Sequence, residues 1–354
     1  MERSKEVHVV ATALLAVGLA FTALNVEAQV QSVADARETA RLHVDNDLFA
    51  GREGDRDYTG GFAVTLTGES AARGLLTLDP ALQRIDRAIE PLGAAASVHY
   101  ARQAGLMVFT PGDILTPEPV AGDRPYASLL YATNARMYVA DNGRDAWSSS
   151  VTVGVLGLPL ASELHDFVHD AVGSESPQGY KHQISEGGEL TGRYTLARHH
   201  LWIADPSGSL DVKTTVQGSI GFLTEASAAV SMRVGRFNSA WWSFAPELTD
   251  YVAAPVPTDS RAASGNGELY LFVGARVKAR AYNAFLQGQF RENAVENSHG
   301  DIEPIVAQAW VGVVTQVFEQ TQLSYTLNYQ TAELREGDGA QSSLWAGVQL
   351  AHVF

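Results

Sequence analysis

The stretch Gln322-Leu323-Ser324-Tyr325-Thr326-Leu327-Asn328-Tyr329-Gln330 alternates polar and apolar side chains over its whole length. Leu and Tyr occupy one set of positions, and Gln, Ser, Thr and Asn occupy the other. Because successive side chains of a β-strand point to opposite faces, this period of two predicts a strand with one apolar and one polar face. Alternation alone fits a soluble sandwich as well as a membrane barrel.

The rest of the chain favours the barrel. Many segments of about ten residues alternate in the same way, and after residue 28 no apolar run is long enough to cross a bilayer as a helix. Links between these segments are either very short, as at Glu319-Gln320 and 141–145, or longer than ten residues. Short turns at one end and long loops at the other are typical of outer-membrane barrels. The sequence therefore predicts an all-β, transmembrane antiparallel β-barrel.

Aromatic residues support this prediction. The last segment alternates up to the C-terminal Phe354, which resembles the signature by which outer-membrane barrels are recognised for assembly. Several aromatic residues lie near the ends of predicted strands, where an interfacial girdle is expected. They are Tyr138, Trp147, Trp202, Trp310 and Trp345.

Thirteen segments qualify as strands, whereas single-chain bacterial barrels contain an even number. The segments are 38–48, 58–67, 98–110, 126–139, 147–156, 183–204, 210–223, 229–237, 268–277, 280–291, 305–318, 321–332 and 341–354. We expect twelve strands, with the error in the region 210–277. We also expect a short helix around Pro80–Ile89 and a second one, Leu160–Ala171, in an extracellular loop.

The N-terminus has the order of a signal peptide. A charged start is followed by the apolar run Val9–Leu24 and by Val26-Glu27-Ala28, a small-residue cleavage site. This order predicts a signal peptide over residues 1–28 and one outer-membrane β-barrel domain over residues 29–354. The alternative is a retained N-terminal anchor.

Composition excludes several functions. The chain has no cysteine, which excludes disulfides and thiolate chemistry. Its formal net charge is −15 and it has no run of Lys or Arg, so no nucleic-acid partner is expected. Serine-hydrolase and nucleotide-binding motifs are also missing from the sequence.

Three polar blocks are too dense in polar and turn residues to be ordinary strands, namely 45–61, 123–127 and 165–186. If the first strand runs outward from the periplasm, all three blocks lie at the extracellular rim. The first block contains oxygen ligands of the kind that calcium prefers, but it does not match an EF-hand. These ligands are Asp45, Asn46, Asp47, Asp55 and Asp57. The alternative is a solvated hairpin loop with Asx turns.

Two histidines lie one turn apart on the predicted loop helix, His165 and His169. Histidine is the side chain best suited to act as a general base near neutral pH. The segment 165–169 is also similar to a zinc-protease helix, but Asp166 stands where that mechanism needs Glu. Surface histidines without a role are the other possibility.

These blocks together resemble one family, the outer-membrane lipid A 3′-O-deacylases. The resemblance rests on four motifs that occur in the family's order and cover residues 45 to about 190. They are Asp45-Asn46-Asp47, Asp55-Arg56-Asp57-Tyr58-Thr59-Gly60-Gly61, Thr110-Pro111-Gly112-Asp113 with Asp123-Arg124-Pro125-Tyr126-Ala127, and His169 with Gly179-Tyr180-Lys181-His182-Gln183 and Ser185-Glu186. Gly60 replaces the family's usual Asn, and Tyr180 replaces its usual Trp.

The resemblance implies a barrel that removes a 3′-linked acyloxyacyl chain from lipid A in the outer leaflet of the cell outer membrane, using Ca²⁺ and a histidine. Asn46, Asp47 and Thr59 then match catalytic positions, and His169 matches the general base. Glu175 is the acidic partner, with Glu186 as the fallback. We expect Asp47, Glu175 and Thr59 to hold the metal.

Substrate binding is expected at the same rim. Arg56, Arg124 and Tyr126 are the candidates that would bind lipid A, and each arginine could instead pair with a neighbouring Asp. We expect a monomer. The competing hypotheses are a channel or structural barrel without catalysis, and a phospholipase that acts on glycerolipid esters by the same chemistry.

Overall fold

A computed structural model describes residues 38–51, 57–74, 77–89, 92, 95–160, 162–163, 176–205, 209–259, 267–291 and 295–354. These residues form a closed barrel in which every strand pairs with its neighbours in sequence and the first strand pairs with the last. The described strands are β1 Thr39–Asn46, β2 Asp57–Thr67, β3 Ser97–Thr110, β4 Ala127–Val139, β5 Asp145–Leu156, β6 Glu189–Ala204, β7 Leu210–Gly221, β8 Leu223–Arg236, β9 Leu269–Asn283, β10 Ile305–Phe318, β11 Thr321–Gln330 and β12 Ser343–Val353.

The expected number of twelve antiparallel strands is confirmed for the described residues. The surplus segment came from splitting one strand, because β9 runs without a break through the predicted gap at 278–279. The uncertain segment Val230–Phe237 belongs to β8 as far as Arg236. Strand β6 begins at Glu189 and not at residue 183, since Ser185, Gly187 and Gly188 adopt left-handed backbone conformations that end the extended run.

Helices in the described residues are short. The predicted helix near Pro80 is confirmed as α1, Asp79–Asp86, and a one-turn helix α2 spans Ala284–Gln287. Six 3₁₀ turns are also described, at Leu48–Ala50, Glu69–Ala72, Tyr180–His182, Trp241–Ser243, Pro246–Leu248 and His299–Asp301. Leu160, Ser162 and Glu163 are helical, as predicted, but residues 164–175 lie outside the described residues. None of the described helices is long and apolar enough to cross a membrane.

Strand β11 has the two faces that its alternation predicts. Gln322, Ser324 and Thr326 line a cavity in the barrel lumen, whereas Tyr325 and Tyr329 are exposed on the outer surface. The same parity holds across the wall, where each strand turns every second side chain toward lipid. Both described termini lie at one end, because the Phe354 amide donates to the Glu38 carbonyl. We take this end as periplasmic, as in outer-membrane barrels generally.

Loop length does not divide the two ends as expected. The turns 140–144 and 319–320 are short, but the periplasmic connections 68–96 and 237–268 are long. The prediction of short turns along the whole periplasmic end is therefore wrong. The reason is that each long connection packs against barrel wall, one inside the lumen and one outside it.

Residues 237–259, the luminal segment, fold into the barrel interior. Arg276 of β9 donates to the Glu247 carbonyl at 2.9 Å and to Asp250 Oδ1 at 2.7 Å. Arg193 of β6 binds the other oxygen of Asp250 at 2.5 Å, and Lys213 of β7 lies 3.0 Å from the Glu247 carboxylate. Each buried charge thus meets an opposite charge, which is what makes its burial tolerable.

The other long connection packs on the outside of the barrel. We call its described residues 68–74 and 77–89 the periplasmic wedge. Arg136 and Tyr138 alternate with inward residues of β4 and so point away from the lumen, yet both are buried. Arg136 binds both carboxylate oxygens of Asp79, at 2.8 and 2.6 Å, and Tyr138 donates to Asp86 at 2.7 Å. Helix α1 therefore lies on the outer wall.

The predicted aromatic girdle is only partly correct. Trp202 is 60 % exposed and Trp147 is half-buried, as a girdle requires. In contrast, Trp310 and Trp345 point into the lumen, and Tyr138 is covered by the wedge. Proximity to a strand end cannot distinguish the two faces, since a shift of one residue reverses them.

The Asp79–Arg136 pair generates a stability prediction. Asp79→Ala leaves an unpaired guanidinium on the outer wall, and breaking a buried pair in this way is expected to lower the free energy of unfolding by about 3 kcal/mol. Urea titration of the refolded barrel in detergent measures the change. Glu69→Ala is the matched control, because the Glu69–Arg73 pair is exposed and should contribute less than about 1 kcal/mol. Equal effects of the two variants would contradict the prediction.

Candidate active site

The described parts of the polar blocks, 45–51, 57–61, 123–127 and 176–186, lie at the extracellular rim, as the order of the strands predicts. In the sheet register Asn46, the last residue of β1, lies opposite Gly60 of β2. Asp57, the first residue of β2, lies opposite Thr110, the last residue of β3. The ends of three neighbouring strands therefore bring the first polar block and Thr110 together.

Thr59 occupies a β-bulge. The register between β2 and β3 shifts between Tyr58 and Gly60, so Thr59 has no cross-strand partner on β3. Its hydroxyl lies 2.6 Å from the Thr110 hydroxyl. Thr110 has the parity of Leu106 on β3, which points away from the lumen. The two hydroxyls therefore lie on the outer side of the wall.

Asn46 is held in a fixed orientation next to Thr59. Its side-chain Nδ2 donates to the Thr59 carbonyl at 3.0 Å, and its Oδ1 accepts from the Leu48 amide at 2.8 Å. Gly60 makes this approach possible, because a Cβ there would lie 2.6 Å from the Asp45 carbonyl and 3.2 Å from Asn46 Nδ2. Gly60, which replaces the Asn expected from the resemblance, thus leaves room for the side-chain amide of Asn46.

Asp47 begins the 3₁₀ turn Leu48–Ala50. Its Oδ1 accepts from the Leu48 amide at 2.8 Å, and its own amide donates to the Thr59 carbonyl at 3.3 Å. The residue is only 2 % exposed. Asn46, Asp47 and Thr59, three of the predicted catalytic residues, are therefore in one hydrogen-bonded cluster.

A second cluster supports the first from the lumen side. Asp45 accepts from the Tyr58 hydroxyl at 3.3 Å and lies 2.7 Å from His43 Nε2. The cross-strand neighbours of Asp45 are glycines on both sides, Gly61 and Gly347. A Cβ at Gly347 would meet Asp45 Oδ1 at 2.4 Å, so the absence of a side chain makes room for the cluster. Sequence reasoning assigned Asp45 to the rim, although its parity points it inward.

Arg124 points into the lumen, where other side chains bind it, and it does not face the membrane. It is 3 % exposed, its Nη1 lies 2.5 Å from Glu333 Oε2, and its guanidinium stacks over Phe109 at 4.4 Å. Glu333 also accepts from Tyr251 of the luminal segment at 2.7 Å and pairs with Arg280. Because the guanidinium of Arg124 is already paired and buried, the structure speaks against the expected contact with lipid phosphate and favours a structural role for Arg124.

Glu333, in the connection between β11 and β12, was not found from sequence. Burial alone would raise the pKa of its carboxyl, but Arg124 and Arg280 outweigh burial and lower the pKa to about 2. A lone Glu in a polar connection carries no pattern that reveals two arginine partners from distant strands.

Tyr126 supports the extracellular connections. Its hydroxyl donates to the Ile114 carbonyl at 3.1 Å, and its ring packs on Tyr180 with centroids 4.5 Å apart. Below them, Leu106 is only 2 % exposed although it points outward from β3. The connections therefore fold over the outer wall. The 5 % exposure of Tyr126 indicates packing more than substrate contact.

The predicted general base and its predicted acidic partner lie outside the described residues. His169 and Glu175 fall in 164–175, and Arg56 falls in 52–56, so their predicted roles are untested. The connection that carries His169 is anchored at both ends, since Gly157 donates to the Ser128 carbonyl at 2.9 Å and Gln178 donates to the Ile114 carbonyl at 2.8 Å. These anchors adjoin the connection that follows Thr110.

The fallback acid Glu186 is exposed, and its backbone carbonyl accepts from Arg291 at 3.0 Å. The buried acid nearby is Glu189, which accepts from the Ser185 hydroxyl at 2.5 Å and the Phe290 amide at 3.0 Å. Within the described residues no group of three or more His, Cys, Asp or Glu side chains could hold a metal ion.

The Glu333 cluster predicts a pH dependence. A carboxyl whose pKa is lower in the folded state stabilises the fold above its unfolded pKa of about 4.3 and loses that contribution as the pH falls toward 2. Thermal unfolding in detergent between pH 5 and pH 2 should therefore show a loss of stability that Glu333→Gln removes. Glu336→Gln, an exposed neighbour, should leave the loss intact. A wild-type slope retained by Glu333→Gln would refute the assignment.

Comparison with known proteins gives one family. The family model described as "Outer membrane protein LpxR" matches residues 10–354. The solved structure of LpxR from Salmonella typhimurium aligns with a TM-score of 0.68 at 18 % identity, covering 89 % of this chain and 100 % of that one. An outer membrane channel from Pseudomonas putida F1 aligns with a TM-score of 0.43 at 8 % identity, covering 93 % and 99 %. No curated protein matches this sequence.

The family match and the closed barrel together establish an outer-membrane location. The structural match at 18 % identity supports the fold. The roles of individual residues rest on their chemistry and positions in this chain.

Proposed function

We propose that this chain, which belongs to the outer membrane protein LpxR family, hydrolyses the 3′-linked acyl ester of lipid A in the outer leaflet. The observation that carries the proposal is the position of Asn46, Asp47 and Thr59. They cluster at the extracellular rim, with the Thr59 and Thr110 hydroxyls on the outer side of the wall. Both hydroxyls are buried, and they lie on the side of the wall that faces the lipids of the outer leaflet and not on the side that faces the lumen.

His169 is the proposed general base. It takes a proton from water, the resulting hydroxide attacks the ester carbonyl, and the tetrahedral intermediate expels the sugar alcohol, which regains a proton. The products are a free fatty acid and a hydroxyl on lipid A, so no covalent acyl-enzyme is required. The Asn46 amide and the Thr59 hydroxyl are the donors that we assign to the developing oxyanion, because they belong to the same cluster.

Calcium is the proposed metal. The candidate ligands Asp47, Glu175 and Thr59 offer only oxygen, which suits a hard cation. The Thr59 carbonyl already accepts from Asn46 Nδ2 and the Asp47 amide, whereas its hydroxyl has one described partner, the Thr110 hydroxyl, so the hydroxyl is the proposed ligand. Asp47 supplies a buried carboxylate with Oδ1 held by Leu48. When bound, the ion would polarise the ester carbonyl.

The luminal segment argues against a channel. Residues 237–259 fold into the lumen and are tied to β6, β7 and β9 by the ion pairs of Glu247 and Asp250. A conducting pore would need this segment to move and leave paired charges buried without partners, at a large cost. We therefore expect no steady conductance in planar bilayers.

The first test of the activity is a matched pair of histidine variants. His169→Ala should slow release of the 3′-linked acyl chain by at least about a hundredfold, the usual contribution of a general base. His165→Ala, four positions earlier in the sequence, should stay within a few fold of wild type. Mass spectrometry of lipid A from cells that express each variant at equal levels in the outer membrane measures both.

The second test concerns calcium and substrate class. Chelation should abolish release of the acyl group, and Asp47→Asn should raise the calcium concentration needed for half-maximal rate. Thr65→Val on β2, the strand that carries Thr59, is the control, because Thr65 faces the lumen. Unchanged lipid A with a correctly inserted wild-type barrel would defeat the proposal. Hydrolysis of glycerophospholipids without any change in lipid A would replace it with a phospholipase.

A further inference from the structure

The periplasmic wedge lies at the depth of the periplasmic leaflet. The outward polar residues of β4 that it covers begin at Asn134, five residues before the strand ends at Val139. At about 3.3 Å per residue this distance is roughly 16 Å along the strand. A single leaflet contributes about half of the ~30 Å hydrocarbon core, so the wedge spans a comparable depth.

The opposite wall shows what normally occupies this depth. At the periplasmic ends of β9 and β10 the outward residues are apolar and exposed, with Leu269 at 54 %, Leu271 at 58 % and Phe318 at 74 %. Lipid acyl chains contact such residues in an outer-membrane barrel. On the β4 side the wedge replaces those chains, because polar outward side chains there need hydrogen-bonding partners.

Helix α1 is oriented with its acids toward the barrel. Asp79, Leu82 and Asp86 form its buried face, and Asp86 accepts from Tyr138, Ser149 and Tyr194. This face satisfies hydroxyl donors from three strands of the outer wall. Both carboxylates point toward the barrel, and the charge of Asp79 is paired with Arg136.

The other face of the helix is exposed and carries the cations. Arg84 and Arg87 are three residues apart, which places them on one side of a helix, and both are exposed. Ile85 lies on a different flank of the helix and is 40 % exposed. The exposed side of the helix therefore offers cations that can reach lipid phosphates and an apolar side chain that can contact acyl chains.

We propose that Arg84 and Arg87 form a binding site for the phosphate of a phospholipid in the periplasmic leaflet. The overall charge of −15 repels an anionic surface, so the attraction must be local. Both side chains are long enough to extend from the helix to the headgroup level while their methylene stems stay among acyl chains. The site is on the opposite side of the membrane from the candidate active site and does not depend on the proposed activity.

Native mass spectrometry of the detergent-refolded, delipidated barrel tests the site. Phosphatidylglycerol, phosphatidylcholine and inorganic phosphate are titrated separately. We expect bound phospholipid, and Arg84→Gln/Arg87→Gln should weaken its binding by about thirtyfold, from the usual contribution of each cation near a lipid surface. Arg335→Gln/Lys181→Gln removes the same charge at the extracellular end and should have no effect. Arg84→Lys/Arg87→Lys should restore most of the affinity.

A second measurement locates the helix. The Ile85→Trp variant in bilayers of brominated lipid should lose most of its added fluorescence if this face contacts acyl chains. Equal lipid affinity of the Gln double variant and wild type would overturn the proposal. So would competition by inorganic phosphate at the same concentration as phospholipid, since that would identify a free-anion site. Absence of quenching of the introduced indole would overturn it as well, by placing the helix in water.

Discussion

The pairing of β1 with both β2 and β12 is the contact on which the rest of the structure depends. Within a bilayer no water satisfies an unpaired backbone amide or carbonyl, so a sheet can span it only when its two edges close. Strand β1 is the shortest of the described strands and makes both closing ladders over its full length. The cluster of Asn46 and Asp47 begins where this strand ends, so the geometry of the candidate site follows from closure of the barrel.

Closure also gives every strand two distinct surroundings. Neighbouring residues therefore serve opposite sides of the wall, as Asp45 and Asn46 show. Asp45 binds Tyr58 and His43 inside, while Asn46 holds the Thr59 carbonyl next to the outer hydroxyls. The inner cluster limits how far β1 and β2 can slide, because a shift of one residue would turn both side chains to the wrong face. Side chains inside the lumen therefore hold the strands that carry a site on the outer side of the wall.

The outer wall is not a uniform lipid surface. Most of it carries exposed Leu, Val, Ile and Phe. Near the extracellular rim the connections with Tyr126 and Tyr180 cover Leu106, and near the periplasm the wedge covers Arg136 and Tyr138. The periplasmic wedge covers polar outward side chains that lipid would not solvate, and the extracellular connections cover an apolar one. These covered sectors make the outer wall irregular near both ends of the barrel.

The sequence by itself determined the barrel class, twelve strands, the outer-membrane location, helix α1 and the position of the described parts of three polar blocks at one rim. It could do so because alternation has a fixed period and because antiparallel order places alternate connections at the same end. Tertiary structure alone decided which face a residue takes near a strand end and which partner a buried charge finds. Trp310 and Trp345 point into the lumen, and Arg124 pairs with Glu333, 209 residues away. Tertiary structure also decided on which side of the wall each long connection packs. That choice depends on contacts with distant strands, and no local sequence pattern contains this information.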